Sequence, residues 1–122
     1  MQKPTVSVSP GPPPTDLLIQ DLIEGSGEVA APGRSVTVHY VGVHHGDGSQ
    51  FDASWDRGEP LSFALGGGMV IAGWDRGVLG MKVGGRRQLV IPAHLGYGRT
   101  GYPPVIQPNE TLVFVVDLLE IG

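Results

Sequence analysis

Turn-forming residues break this chain so often that long helices have little room. Gly25-Ser26-Gly27, Pro32-Gly33, Gly46-Asp47-Gly48, Gly66-Gly67-Gly68, Gly84-Gly85 and Gly96-Tyr97-Gly98 punctuate it, and 20 glycines and 11 prolines are spread over 122 residues. Glycine admits positive φ and proline presets a turn dihedral, so this density points to tight turns and therefore to β structure. The length supports one compact domain rather than two.

Between the turns, apolar and polar residues alternate. In the run from Ser35 to Gly42, Val36, Val38 and Tyr40 fall on one face and Thr37, His39 and Val41 on the other. Leu17 to Ile23, Phe51 to Ser54, Leu61 to Leu65 and Arg86 to Ile91 read as further strands, with Leu89 and Ile91 sharing a face. The last run, Thr111 to Ile121, sets Leu112, Phe114, Val116 and Leu118 against Val113 and Val115, which predicts a strand covered on both faces. Only one segment has a convincing helical period: Ile71, Trp74, Val78 and Met81 recur at spacings of three and four. Gly73, Gly77 and Gly80 weaken that helix by about 1 kcal/mol each relative to alanine. Packing against the sheet must therefore hold it.

Trp55 to Glu59 reads as irregular and Pro92 to Glu110 as a long loop. Residues 1–16 are rich in Pro, Ser and Thr, and Pro12-Pro13-Pro14 favours an extended polyproline conformation. This segment reads as a flexible leader, with the folded domain spanning 17–122. The predicted class is α+β: an antiparallel sheet wrapped against one short helix, with an apolar cavity between them floored by Trp74.

Several chemistries find no support. A net charge of −4 is the opposite of a phosphate-binding footprint, and only Arg86-Arg87 places two basic residues side by side. There is no cysteine, hence no disulfide and no thiolate nucleophile, which fits a reducing compartment. His44 and His45 are adjacent, so on a strand they face opposite ways and make a poor metal site. Gly25-Ser26-Gly27 lacks the spacing of a Gly-x-Ser-x-Gly nucleophile elbow, and Gly66-Gly67-Gly68 lacks the Lys and Ser/Thr of a phosphate loop. No apolar run has the length of a secretory signal or a membrane span. The expectation is a cytoplasmic, monomeric protein with no metal, cofactor, nucleic-acid or membrane partner.

The aromatic residues are more coherent. Tyr40, Phe51, Phe63, Trp74, Tyr97 and Phe114 come from different elements, nearly all at core-facing positions. Asp52 directly follows Phe51, and a carboxylate beside an apolar cavity needs a partner; Tyr40 and Arg57 are the candidates.

At these residues the chain closely resembles the FKBP family, the tacrolimus-binding peptidyl-prolyl cis-trans isomerases. The resemblance runs from about Leu17 to Gly122 and rests on several stretches in order. These are Val38-His39-Tyr40-Val41-Gly42, Phe51-Asp52-Ala53-Ser54, the run from Val70 to Val78, Gly80-Met81-Lys82-Val83-Gly84, Leu95-Gly96-Tyr97-Gly98 and Thr111-Leu112-Val113-Phe114. It implies a five- to six-stranded antiparallel half-barrel curled around a short α-helix. It also implies a pocket with Tyr40, Phe51, Asp52 and Phe114 as walls, Val70 and Ile71 at the rim and Trp74 as the floor. Tyr97 would be a hydroxyl donor above that floor, Ile71 would lend its N–H to a ligand carbonyl, and Asp52 would be held by Tyr40 and Arg57. Leu61, Phe63, Tyr102, Val105 and Ile106 complete the implied substrate or macrolide contacts. Phe51, Asp52, Trp74 and Tyr97 are the implied catalytic group.

Two departures stand out. The family often has a bulky aromatic where Leu61 stands, and a glycine-rich loop tip where this chain has Gly101-Tyr102-Pro103-Pro104. By the resemblance the partners are proline-containing peptides, folding proteins, and macrolides such as tacrolimus and rapamycin. The alternative is a binding module or chaperone that holds such segments without turnover; a third reading, that the Pro-rich leader recruits a partner, rests on composition alone.

Overall fold

The computed structural model of the chain describes residues 2–122. Its elements are β1 (Leu18–Ile23), β2 (Ser35–His44), β3 (Gln50–Ala53), α1 (Ser54–Arg57), β4 (Leu61–Ala64), α2 (Ala72–Gly77), β5 (Arg86–Ile91) and β6 (Leu112–Ile121). The strands form one six-stranded sheet in the order β1-β5-β6-β2-β3, with β4 also paired to β2. All pairings are antiparallel. The first half of β2 pairs with β4 and the second half with β3, so α1 sits where that edge changes partner. The α+β class and the antiparallel sheet agree with the reading of the sequence.

Two local expectations change. The helix predicted from the period of Ile71, Trp74, Val78 and Met81 ends at Gly77, and Val78 and Met81 are buried in the turn that follows. Gly80 at φ +85° ends the turn, a left-handed conformation that glycine adopts at no steric cost. The stretch read as irregular after Ser54 is one turn of helix, α1.

The glycines of α2 have a packing role. A Cβ on Gly73 would lie 2.5 Å from Ile91 Cγ2, and one on Gly77 would lie 2.6 Å from Leu89 Cδ1. Only a bare backbone face lets α2 approach β5 this closely, which accounts for a helix of poor intrinsic propensity. This approach carries Trp74 into the concave side of the sheet.

There the main core forms, with Val36, Val38, Leu89, Ile91, Leu112, Val116 and Leu118 all fully buried. On the opposite face Val41, Val43, Ala53 and Val113 form a second cluster. Strand β6 is thus buried on both faces, as its sequence predicts. The described residues of the segment read as a flexible leader, 2–16, carry no helix or strand, and they contact this outer face. Val6 and Val8 pack on the second cluster together with Trp55 and Val90. Lys3 Nζ reaches Asp56 Oδ1 at 2.8 Å, and Arg86 Nη2 donates to the Gln2 carbonyl at 2.7 Å.

Candidate functional site

Between the concave face of the sheet and the start of α2 lies a cavity of about 420 Å³. Its floor is Trp74, 4 % exposed. Tyr40 and Phe114 hold the indole edge-on, at ring-centroid distances of 4.9 and 5.3 Å and interplanar angles of 79° and 89°. Perpendicular contacts of this kind suit the ring quadrupoles and fix the plane of the indole. Phe63 packs on Trp74 from within the core, at 5.8 Å. Phe51 closes a wall edge-on to Phe114 at 5.6 Å.

Adjacent strand residues normally face opposite ways, yet both Phe51 and Asp52 line the cavity. The cause is a β-bulge: Gly42 pairs with Asp52 and Val43 with Gln50, so Phe51 has no partner on β2. Bulges re-aim side chains in this way. Gly42 makes room for the result, because a Cβ there would lie 2.7 Å from both Phe51 Cζ and Phe114 Cε1.

The carboxylate of Asp52 is tied at both oxygens. Tyr40 Oη donates to Asp52 Oδ2 at 2.7 Å, and Arg57 Nη1 donates to Asp52 Oδ1. Arg57 Nη2 also donates to Tyr40 Oη at 2.7 Å, and its guanidinium lies 5.6 Å from the Tyr40 ring centroid. The C-terminal end of α1 places Arg57 for all three contacts. Burial, then the hydrogen bond to Asp52, raises the Tyr40 hydroxyl above the ordinary tyrosine range. Hydrogen bonds to Tyr40 and Asp52 raise Arg57 further, so it keeps its charge at any working pH. Tyr97 is also raised, by burial first and then by the negative charge of Asp52. It is half-exposed at the cavity mouth, and its hydroxyl has no partner among the described residues. The Ile71 N–H at the rim likewise donates to no acceptor among them.

Of the residues expected at the site, Tyr40, Phe51, Asp52, Leu61 and Val70 line the cavity together with Ile71, Trp74, Tyr97 and Phe114. Arg57 stands behind the carboxylate and Phe63 behind the floor. Besides these two, three further expected residues, Tyr102, Val105 and Ile106, do not line the cavity. Tyr102 and Ile106 exchange backbone hydrogen bonds of 2.8 Å, which folds the loop tip into a tight turn. Ile106 is thereby buried in the main core, while Val105 faces a separate groove with Pro104 and Pro108. Tyr102 reaches the site only by packing on Tyr97, at 5.8 Å. Met69 was missed: it lines the cavity although it is 66 % exposed. Only its place next to Val70 could have signalled this. The histidines of β2 are engaged elsewhere, His39 with Ser54 Oγ at 2.8 Å and His44 with Glu110.

Comparison with known proteins returns one consistent result. The family model described as FKBP-type peptidyl-prolyl cis-trans isomerase matches residues 27–119. An FK506-binding protein of Streptomyces anulatus is 57% identical over 122 residues, covering 99% of this chain and 98% of its own. A probable FK506-binding protein of Corynebacterium glutamicum is 50% identical over 119 residues, covering 98% of each. Among solved structures, AtFKBP13 superposes with a TM-score of 0.82 at 36% identity, covering 90% of this chain and 96% of its own. FkpA from Escherichia coli does so with a TM-score of 0.80 at 44% identity, and there this chain spans 99% of itself but 53% of FkpA.

Proposed function

Because this chain belongs to the FKBP-type peptidyl-prolyl cis-trans isomerase family, we propose that it accelerates rotation about Xaa-Pro bonds in the cavity over Trp74. The observation that carries the proposal is the cavity itself: an indole floor held edge-on by two rings, beside a carboxylate already bound at both oxygens.

The uncatalysed barrier of about 18–20 kcal/mol comes from amide resonance. Rotation makes and breaks no covalent bond, so it calls for no nucleophile. The twisted amide has less C–N double-bond character and a less dipolar carbonyl than the planar one. A water-poor aromatic cavity therefore disfavours it less. The proline ring lies on Trp74, and the free Ile71 N–H takes a carbonyl of the bound peptide. Shape complementarity to the twisted form adds to the effect. A 10⁵-fold acceleration needs about 7 kcal/mol, which several such terms supply jointly. Tacrolimus- and rapamycin-type macrolides occupy the same cavity.

The test is cis-trans exchange of a short Xaa-Pro peptide by NMR, with and without rapamycin or tacrolimus. Catalysed exchange that the macrolide abolishes is the expected result. Binding of peptide or macrolide without faster exchange would make the domain a binding module, and neither response would defeat the functional reading.

A graded response is expected from the polar groups. Tyr97→Phe removes the one hydrogen bond that the free hydroxyl gives to the bound peptide, worth about 0.5–1.5 kcal/mol net, and lowers catalysed exchange about threefold. Asp52→Val leaves Tyr40 and Arg57 without their acceptor and costs about tenfold, or about 1.4 kcal/mol in the barrier. Full activity in a folded Asp52→Val variant would remove the carboxylate from the site.

Catalysed exchange should also be flat between about pH 7 and 9. The raised hydroxyls of Tyr40 and Tyr97 keep their protons past the ordinary tyrosine value of about 10, and Arg57 keeps its charge. Loss appears only as pH rises above that, when an ionised Tyr40 would face Asp52. A titration step between pH 7 and 9 would contradict this assignment.

A further inference from the structure

His44 and Glu110 lie outside the cavity lining, yet they meet directly behind it. The backbone of His44 closes the β2–β3 connection: its N–H donates to the Ser49 carbonyl at 2.9 Å and its carbonyl accepts from Gly48 N–H at 2.8 Å. Its ring Nδ1 bonds Glu110 Oε2, and since a carboxylate only accepts, Nδ1 carries the proton. The other Glu110 oxygen accepts the Gln107 N–H at 2.8 Å. One residue earlier, Asn109 N–H donates to the Gly98 carbonyl at 2.9 Å, beside Tyr97. The His44 ring packs 5.1 Å from Phe51, whose edge meets Phe114. Both side chains of the pair are largely buried, 23% and 14% exposed.

We propose that the His44–Glu110 pair is a positioning element of the site, holding the rear of Phe51 and the root of the loop that carries Tyr97 in one register. Neither residue is catalytic, because neither reaches the cavity. The directional bonds of a carboxylate with two fixed donors set a single arrangement, whereas an apolar contact at the same place would let the Phe51 ring slide. A displacement of this wall by about 1 Å is enough to slow a geometry-dependent step many-fold.

The role assigned to the pair rests on the isomerase reading, so its test carries a readout that does not. Wild type, Glu110→Ala and Glu110→Gln are compared for kcat and KM on an Xaa-Pro peptide, for the aromatic NMR resonances and ring-flip rate of Phe51, and for thermal melting. Glu110→Ala is expected to lower kcat about five- to tenfold with KM within about twofold, and to shift and broaden the Phe51 signals. Glu110→Gln accepts from the Gln107 N–H with its oxygen and donates its amide N–H to His44 Nδ1 once the ring carries its proton on Nε2, so kcat returns to within about twofold of wild type. The proposal is overturned if kcat is unchanged in a folded Glu110→Ala variant, or if only KM moves. It is also overturned if Glu110→Gln fails as badly as Glu110→Ala while both melt lower, which would leave a purely structural pair. An inactive wild type would defeat the isomerase reading alone. In that case Phe51 signals unaltered by Glu110→Ala overturn the positioning role, and altered ones uphold it.

Discussion

Gly42→Ala is expected to lower catalysed prolyl exchange about a hundredfold while leaving the sheet intact. A single methyl at this position would stand 2.7 Å from Phe51 Cζ and from Phe114 Cε1, distances that carbon atoms do not tolerate. Both rings are walls of the cavity, and Phe114 is otherwise packed in the core, so the free space beside them is the cavity itself. The clash therefore drives Phe51 or Phe114 toward the space over Trp74. Overpacking of this kind costs about 1–3 kcal/mol in stability, and a misplacement of about 1 Å in a site costs about 10²-fold in rate. Exchange spectroscopy on the folded variant measures the loss. Retention of more than about a third of wild-type activity would mean that the walls are softer than their packing indicates.

The largest loss of stability is expected from Arg86→Leu. Asp117 is fully buried on the outer face of β6, directly opposite Arg86 in the register of β5 and β6. Arg86 holds it with two bonds, Nε to Oδ1 at 2.7 Å and Nη2 to Oδ2 at 3.3 Å. Removing the guanidinium strands an ionised carboxylate away from water, a change that costs about 3–5 kcal/mol. It also releases the Gln2 carbonyl from the sheet. For a chain of this size that is a fall in melting temperature of about 10–20 °C, read by calorimetry or circular dichroism. The exposed pairs Arg34–Glu28 and Lys82–Glu24 serve as controls, since bridges in water contribute about 0–1 kcal/mol. A shift for Arg86→Leu no larger than theirs would refute the argument.

Much of this architecture was legible in the alternation of side chains. Val36, Val38 and Tyr40 do share the buried face of β2, and β6 is covered on both sides as its two apolar sets required. The partners of Asp52 are also legible in the sequence, because a carboxylate beside an apolar cavity must be satisfied and the family resemblance sets Tyr40 and Arg57 around it. Other features were not visible. The bulge at Phe51 leaves no mark in composition, since its cause is the mismatch between two pairing registers. The loop tip is less legible: the family resemblance implies contacts from Tyr102, Val105 and Ile106 alike. The turn between Tyr102 and Ile106 buries one of them and points another into a different groove.

Sequence alone determined the turns, the faces of the strands and the set of aromatic and acidic side chains available, because dihedral preference and period-two burial are local properties. The tertiary structure decided which of these side chains meet. The approach of bare α2 glycines to β5, the bulge that turns Phe51 and Asp52 to one side, and the meeting of His44 with Glu110 all depend on contacts between segments far apart in the chain. No residue's own preference encodes such a contact, since it arises only when both segments are held in one sheet at one register.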